Sequence, residues 1–176
     1  NWGRLLPQIA YYFWAYAQMV KAGSIRPGEK VNFAVPTGNF GNILSAYYAM
    51  RMGLPVHKLL CASNRNNVLT EFFRQGVYDK NRPFYRTASP SMDILISSNL
   101  ERLLFGIAGR DSEKVRGWMK GLQKEGQYQI ETEQQEVLDR YFYAGDCDDA
   151  QGAQSIAKVW EENKYLLDTH SAVAQH

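Results

Sequence analysis

Residues Val31 to Tyr48, VNFAVPTGNFGNILSAYY, constrain the fold more than any other stretch. Val31-Asn32-Phe33-Ala34-Val35 is a short apolar run, and Pro36-Thr37-Gly38-Asn39-Phe40-Gly41-Asn42 is a polar bend with two glycines. Beyond it, Ile43, Leu44, Tyr47 and Tyr48 recur at helical spacing. This pattern predicts a strand, a tight loop and a helix in succession. Glycines at 38 and 41 let the backbone bend and turn its N–H groups toward one point. The following helix starts with unpaired N–H donors at the positive end of its dipole. Such a helix start suits a phosphate or another small anion. Thr37, Asn39 and Asn42 can add side-chain donors. Charge-assisted hydrogen bonds are each worth roughly 1.5–3 kcal/mol, so three or four hold a phosphate with no lysine nearby.

Two commoner phosphate loops are not met. No Lys-Ser/Thr pair follows Gly41, so the nucleoside-triphosphatase pattern GxxxxGK[ST] fails, and the dinucleotide fingerprint GxGxxG is missing too. On the residues alone two readings stay open, a phosphate loop and a strand-to-helix turn whose glycines merely fit the bend. A bare GxxG does not choose between them.

The 176 residues amount to one ordinary domain, enough to bury about two-thirds of the unfolded surface. A net charge of +2 gives no strong attraction for nucleic acid or an acidic membrane, and no apolar run is long enough to span a bilayer. Only Cys61 and Cys147 occur, without a CxxC, so neither a disulfide framework nor a metal site is expected. The default location is the cytoplasm. Leu5, Leu6, Ile9, Phe13, Tyr16 and Val20 predict a first helix. Tyr11, Tyr12 and Trp14 make it apolar on nearly all sides, so it is expected to be largely buried. A buried helix at the first residue suggests a stretch of a longer protein.

After the bend, a helix from Phe40 to Met52 and a strand from His57 to Ala62 complete a parallel βαβ unit. Its ligands sit at the carboxyl ends of the strands. Asn67 to Gly76 reads as a helix, and Tyr78 to Ala88 as a polar, irregular stretch that either covers the site or simply connects as a surface loop. Pro90 to Ala108 reads as one helix that Ser89 or Ser91 caps, although Ser97-Ser98-Asn99 is more polar than packing requires. Helices are also expected over Asp111–Gly126, Thr132–Tyr143 and Asp148–Lys164. The last would rest on Ile156, Val159 and Trp160, and Tyr165-Leu166-Leu167 would form a final strand.

The bend Pro36–Asn42 resembles the cofactor-phosphate loop of threonine synthase, a pyridoxal-phosphate enzyme of the fold type II (tryptophan synthase β-like) group. Further motifs agree in order. Asn1-Trp2-Gly3-Arg4 with Gln8 is similar to the family's helix start. Asn64 to Leu69 with Phe72, Phe73, Gly76 and Tyr78 is similar to its next motif, and Ser89–Ile94 with Ser97–Arg102 to a third. Asp168-Thr169-His170-Ser171-Ala172-Val173 resembles an Asp-Pro-His-[Ser/Thr]-Ala-Val segment, with Thr169 where proline is usual.

The resemblance implies an α/β fold in which residues 1–176 form a single piece. This piece would be most of the cofactor-phosphate-binding large domain, a three-layer parallel βαβ part of a longer chain. It implies that Gly38, Asn39, Phe40, Gly41 and Asn42 bind the phosphate of pyridoxal 5'-phosphate. Arg4 and Asn39 would bind the phosphate of the small-molecule substrate, O-phosphohomoserine. The expected reaction is conversion of O-phosphohomoserine and water to threonine and phosphate. The family's Schiff-base lysine lies in a Ser-Phe-Lys-Asp-like motif that this sequence lacks, so no catalytic residue is assigned and the chain alone is expected to be inactive. Glu101 and Arg102 are expected to form structural ion pairs. Two other functions remain open: a threonine-synthase-like phospho-lyase releasing 2-oxobutyrate, and a non-catalytic anion-binding module. Oligomeric state is not legible in the sequence.

Overall fold

The apolar run and helical spacing of residues 31–48 become a strand and a helix at the centre of an α/β fold. The computed structural model describes residues 2–176, so the expectation for Asn1 lies outside the described residues. Strand β1 (Val31–Pro36), helix α2 (Gly41–Arg51) and strand β2 (Val56–Ser63) form the predicted parallel βαβ unit. Strand β5 (Phe142–Asp146) joins the other edge of β2, also parallel, giving the order β1-β2-β5. Pro36 pairs with Ala62, and Ala62 with Gly145, so the carboxyl ends of all three strands lie along one edge.

Alternation along β2 builds two cores. Leu59 and Cys61 enter the main cluster with Leu5, Ile43, Leu44, Phe72 and Phe142. Ala62 faces the other way and packs with Met92, Cys147 and Val173. The main cluster draws on helices α1 (Trp2–Lys21), α2, α3 (Val68–Gln75), α4 (Leu100–Ile107), α5 (Ser112–Lys124) and α6 (Thr132–Tyr141). On the opposite face lies α8 (Thr169–Gln175), packed on β1, β2 and α7 (Asp149–Asn163). Helix, sheet and helix make three layers, as the resemblance implied. A short antiparallel ribbon, β3 (Val77–Asp79) with β4 (Gln127–Gln129), stacks Tyr78 on Tyr128 at 5.3 Å. The helix ends follow local chemistry. Asp111 caps α5, Asp148 and Gln151 form a capping box on α7, Asp168 caps α8, and Gly76 ends α3 in the left-handed conformation.

Several expectations need correction. The span Pro90–Ala108 is not one helix: a 3-10 turn at Pro90–Met92 and helix α4 are separated by residues 93–99. Side chains there take up backbone and side-chain partners that a helix would deny them. Asp93 accepts from Asn64 and Asn66, and Ser97 and Asn99 donate to the bend. Ser89 caps nothing through its side chain; its hydroxyl instead accepts from Asn64. Strand β5 was hidden behind α6, whereas residues 165–167 form no strand. Trp160 is exposed, and α7 buries Gly152 and Ser155 instead.

Helix α1 buries only Leu5, Ile9 and Tyr12, leaving Tyr11 62% and Trp14 67% exposed. An amphipathic stripe, not the whole circumference, meets α2. The polar span after Tyr78 is more than a surface loop. Its residues Tyr85 and Thr87 bond to Asn66, Asn64 and Asp93. No described helix is long and apolar enough to cross a membrane, and among the described residues no His/Cys/Asp/Glu group could hold a metal ion.

Both cysteines are free and buried. Burial pushes the Cys61 thiol up to about 12, and burial with the Asp148, Asp146 and Asp149 carboxylates pushes Cys147 up to about 11. Alkylation requires the thiolate, so at pH 8 the native protein should leave both unlabelled by iodoacetamide and label both in urea. Peptide mass spectrometry checks this, and native labelling of Cys61 would contradict its burial.

Candidate functional site

At the carboxyl end of β1 the chain leaves the sheet, and the bend Thr37–Phe40 carries it into α2. The left-handed residue of the bend is neither glycine but Phe40, with φ at 62°. A non-glycine residue costs roughly 1–2 kcal/mol there. The Phe40 ring is 1% exposed and packs against Phe73 and Phe142, and burying such a ring contributes roughly 1.5–3 kcal/mol. Core packing therefore holds the strained turn. Gly38 serves a different need, because a Cβ there would lie 2.7 Å from the Ser91 carbonyl oxygen. At Gly41 a Cβ would meet only the Asn99 amide, at 3.5 Å.

The polar residues 97–99 now have a purpose. The Ser97 hydroxyl donates to the Gly38 carbonyl at 2.8 Å, and Asn99 donates to the Asn39 carbonyl from Nδ2 at 2.8 Å and from its backbone N–H at 3.1 Å. Ser97 and Asn99 are both buried. Held from behind, these carbonyls leave the donors of the bend and of α2 for the open side. No side chain caps α2, whose first intrahelical bond runs from the Leu44 N–H to the Phe40 carbonyl. Thr37 adds no donor, because its hydroxyl is spent on the Val35 carbonyl at 2.6 Å.

An open cleft of about 350 Å³ lies in front of this loop. Gly38, Asn39, Phe40, Gly41 and Asn42 line it together with Arg4 and Gln8, one turn apart on α1. The structure thus brings Arg4 into one cleft with Gly38, Asn39, Phe40, Gly41 and Asn42. Among the described residues the lining carries one formal charge, the Arg4 guanidinium, and neither a carboxylate nor a lysine. Such a donor set suits an anion. In the sequence Gln8 is only part of a motif, yet its Oε1 is buried beside the cleft and has no partner among the described residues. Ser91, Asn99 and the Tyr12 contact described below were missed as well. Glu101 and Arg102 form no ion pair among the described residues; Arg102 instead lies over the Trp2 ring, 5.4 Å from its centroid.

No family model matches the chain. Threonine synthase-like 1 from Homo sapiens is 44% identical over 176 residues, which cover 99% of this chain and 24% of that protein. Threonine synthase from Saccharomyces cerevisiae is 38% identical over 186 residues, covering 98% and 36%. The crystal structure of pyridoxal-phosphate-bound threonine synthase from Brucella melitensis superposes with a TM-score of 0.92 at 43% identity, over 99% of this chain and 36% of that one. The chain belongs to the threonine synthase family. Its fold is accordingly that of a fold type II pyridoxal-phosphate enzyme. The yeast threonine synthase structure agrees, with a TM-score of 0.92 at 36% identity. The chain spans between 24% and 36% of the length of these relatives.

The two glycines of this threonine synthase loop should separate on substitution. Gly38→Ala forces the backbone at Ser91 to move and should cost about 1–3 kcal/mol. Gly41→Ala makes only an ordinary contact and should stay within about 0.5 kcal/mol. Thermal unfolding of the two variants checks this, and equal effects would contradict the close approach at Gly38.

Proposed function

We propose that this chain forms the cofactor-phosphate side of a threonine synthase active site and most of the large domain of a longer chain. The enzyme would convert O-phosphohomoserine and water to threonine and phosphate. The observation that carries the reading is the shared cleft. Arg4, from a helix remote in sequence, faces the Gly38–Asn42 loop across a lining of donors without a carboxylate. The pyridoxal-phosphate-bound Brucella relative supports the choice of cofactor.

The residues present fit pyridoxal 5'-phosphate. An uncapped helix start, a loop with its carbonyls tied back and the Asn42 amide provide donors for its phosphate. When bound, the cofactor supplies an electron sink for chemistry at the substrate's carbon atoms. Asn39 and Arg4 would hold the substrate's own phosphate. Arg4 suits a binding role because a guanidinium pairs with phosphate oxygens in a fork and keeps its proton. It would orient the γ-phosphate and balance its charge as it leaves, without acting as an acid. With no lysine in the lining among the described residues, the Schiff-base lysine and the partner of the cofactor's ring nitrogen are assigned outside this chain.

A second reading rests on one observation. The 44% identical human relative is named threonine synthase-like, not threonine synthase. The same cleft would then serve a phospho-lyase that releases phosphate and 2-oxobutyrate.

The test uses the product of the complete open reading frame, purified with pyridoxal phosphate and supplied with O-phosphohomoserine. Phosphate with threonine is the expected outcome, phosphate with 2-oxobutyrate would select the second reading, and no phosphate release would overturn both. Arg4→Ala should lower kcat/KM for O-phosphohomoserine about 10- to 100-fold while changing cofactor affinity by less than about twofold. An equal loss for cofactor and substrate would remove Arg4 from the substrate site.

A further inference from the structure

Arg4, Gln8 and Tyr12 follow one another at intervals of four along α1, and the first two line the cleft. Tyr12 stands behind it, 7% exposed, with its ring edge-on to Phe33 at 5.0 Å. Its hydroxyl donates to Asn42 Oδ1 at 2.8 Å and lies 3.2 Å from the Asn42 carbonyl oxygen. Asn42 is the second residue of α2, exposed on the cleft side, where its Nδ2 meets no acceptor among the described residues.

An asparagine amide has a donor end and an acceptor end, and which end enters a site decides whether it attracts or repels an anion. A free Asn42 amide could turn either way by rotation about χ2, which is a soft torsion. With Nδ2 outward it adds a donor to the phosphate site, whereas with Oδ1 outward it sets a lone pair against the phosphate. The Tyr12 hydroxyl breaks this symmetry by giving its proton to the oxygen end, at 2.8 Å the shorter of its two contacts with Asn42. Burial drives the Tyr12 pKa well above its ordinary value, so the hydroxyl remains a donor throughout the physiological range.

We propose that Tyr12 is a positioning residue that holds the Asn42 amide with its nitrogen toward the cleft, making Asn42 a committed donor to the cofactor's phosphate. This role rests on the cofactor reading above. It assigns α1 a second task besides carrying Arg4, because the same helix face that presents a cation also orients a neutral donor on α2.

The experiment is a double-mutant cycle on cofactor affinity. Full-length wild type, Y12F, N42A and the Y12F/N42A double variant are stripped of cofactor and titrated with pyridoxal phosphate by tryptophan fluorescence. Far-UV circular dichroism of the stripped forms serves as the folding control. Y12F keeps the ring and its packing, and should weaken binding about fivefold. N42A should lose at least as much, and the double variant no more than N42A alone. A purely structural role for Tyr12 would make the two losses add, and that outcome overturns the proposal. N42D keeps an acceptor for Tyr12 but turns a carboxylate oxygen into the cleft, so it should bind more weakly than Y12F. N42D binding as tightly as wild type would also overturn it. A wild-type protein that takes up no pyridoxal phosphate refutes the cofactor reading and this role with it. Wild type that binds while Y12F equals it refutes the role of Tyr12 alone.

Discussion

The cleft depends on one aromatic ring. Phe40 sits in a backbone conformation that its Cβ disfavours, and what keeps it there is the pocket between Phe73 and Phe142. Those partners come from the helix after β2 and from the third strand of the sheet, so the loop is shaped by the assembled core and not by local preference. A glycine at position 40 would make the turn easily but would leave it free to make others. Phenylalanine ties the direction in which α2 starts to the packing of the sheet. The site is therefore preorganised by the same contacts that stabilise the fold.

A second layer of control is polar. The hydroxyl of Ser97 and the amide of Asn99 hold the loop's carbonyls from behind. Next to them, Asn64, Asn66, Thr87 and Asp93 form a connected set of hydrogen bonds. Tyr78 holds the chain between Asp93 and Ser97, since its hydroxyl receives the Ser97 N–H at 2.9 Å and donates to the Leu95 carbonyl. Buried polar groups are tolerated when each finds a partner. Here the partners come from three separate stretches of chain, which fixes the path of residues 85–99 without regular structure.

Much of this was legible from residue patterns. The βαβ unit announced itself because a strand-length apolar run and a helical repeat flank a glycine bend. The cleft residues followed because helix starts and glycine loops have a known chemistry. Other parts were hidden for physical reasons. Residues 90–108 carry enough apolar side chains at helical spacing to read as a helix, and only tertiary hydrogen bonds to Ser97, Asn99 and Asp93 overrule that periodicity. Strand β5 is five residues long and follows α6 without a break, so its apolar start merged with the helix. In the sequence Tyr12 is one more apolar residue on a crowded helix. Its spacing from Arg4 and Gln8 was the signal, but its acceptor is thirty positions away.

The order β1-β2-β5 also bears on how such a molecule comes into being. β1, α2 and β2 are neighbours in the chain and can meet as soon as Ser63 has left the ribosome. The third strand is separated from β2 by the whole stretch from Asn64 to Tyr141. During synthesis from the amino end, one edge of β2 therefore stays open until that stretch has been made. Phe142, the partner that helps hold Phe40 in its turn, arrives with that late strand. Long-range pairings of this kind are the slow ones to form, so the loop reaches its final shape only when β5 has paired with β2. The part of the sequence that looks most self-contained is thus completed by a strand made only after Tyr141.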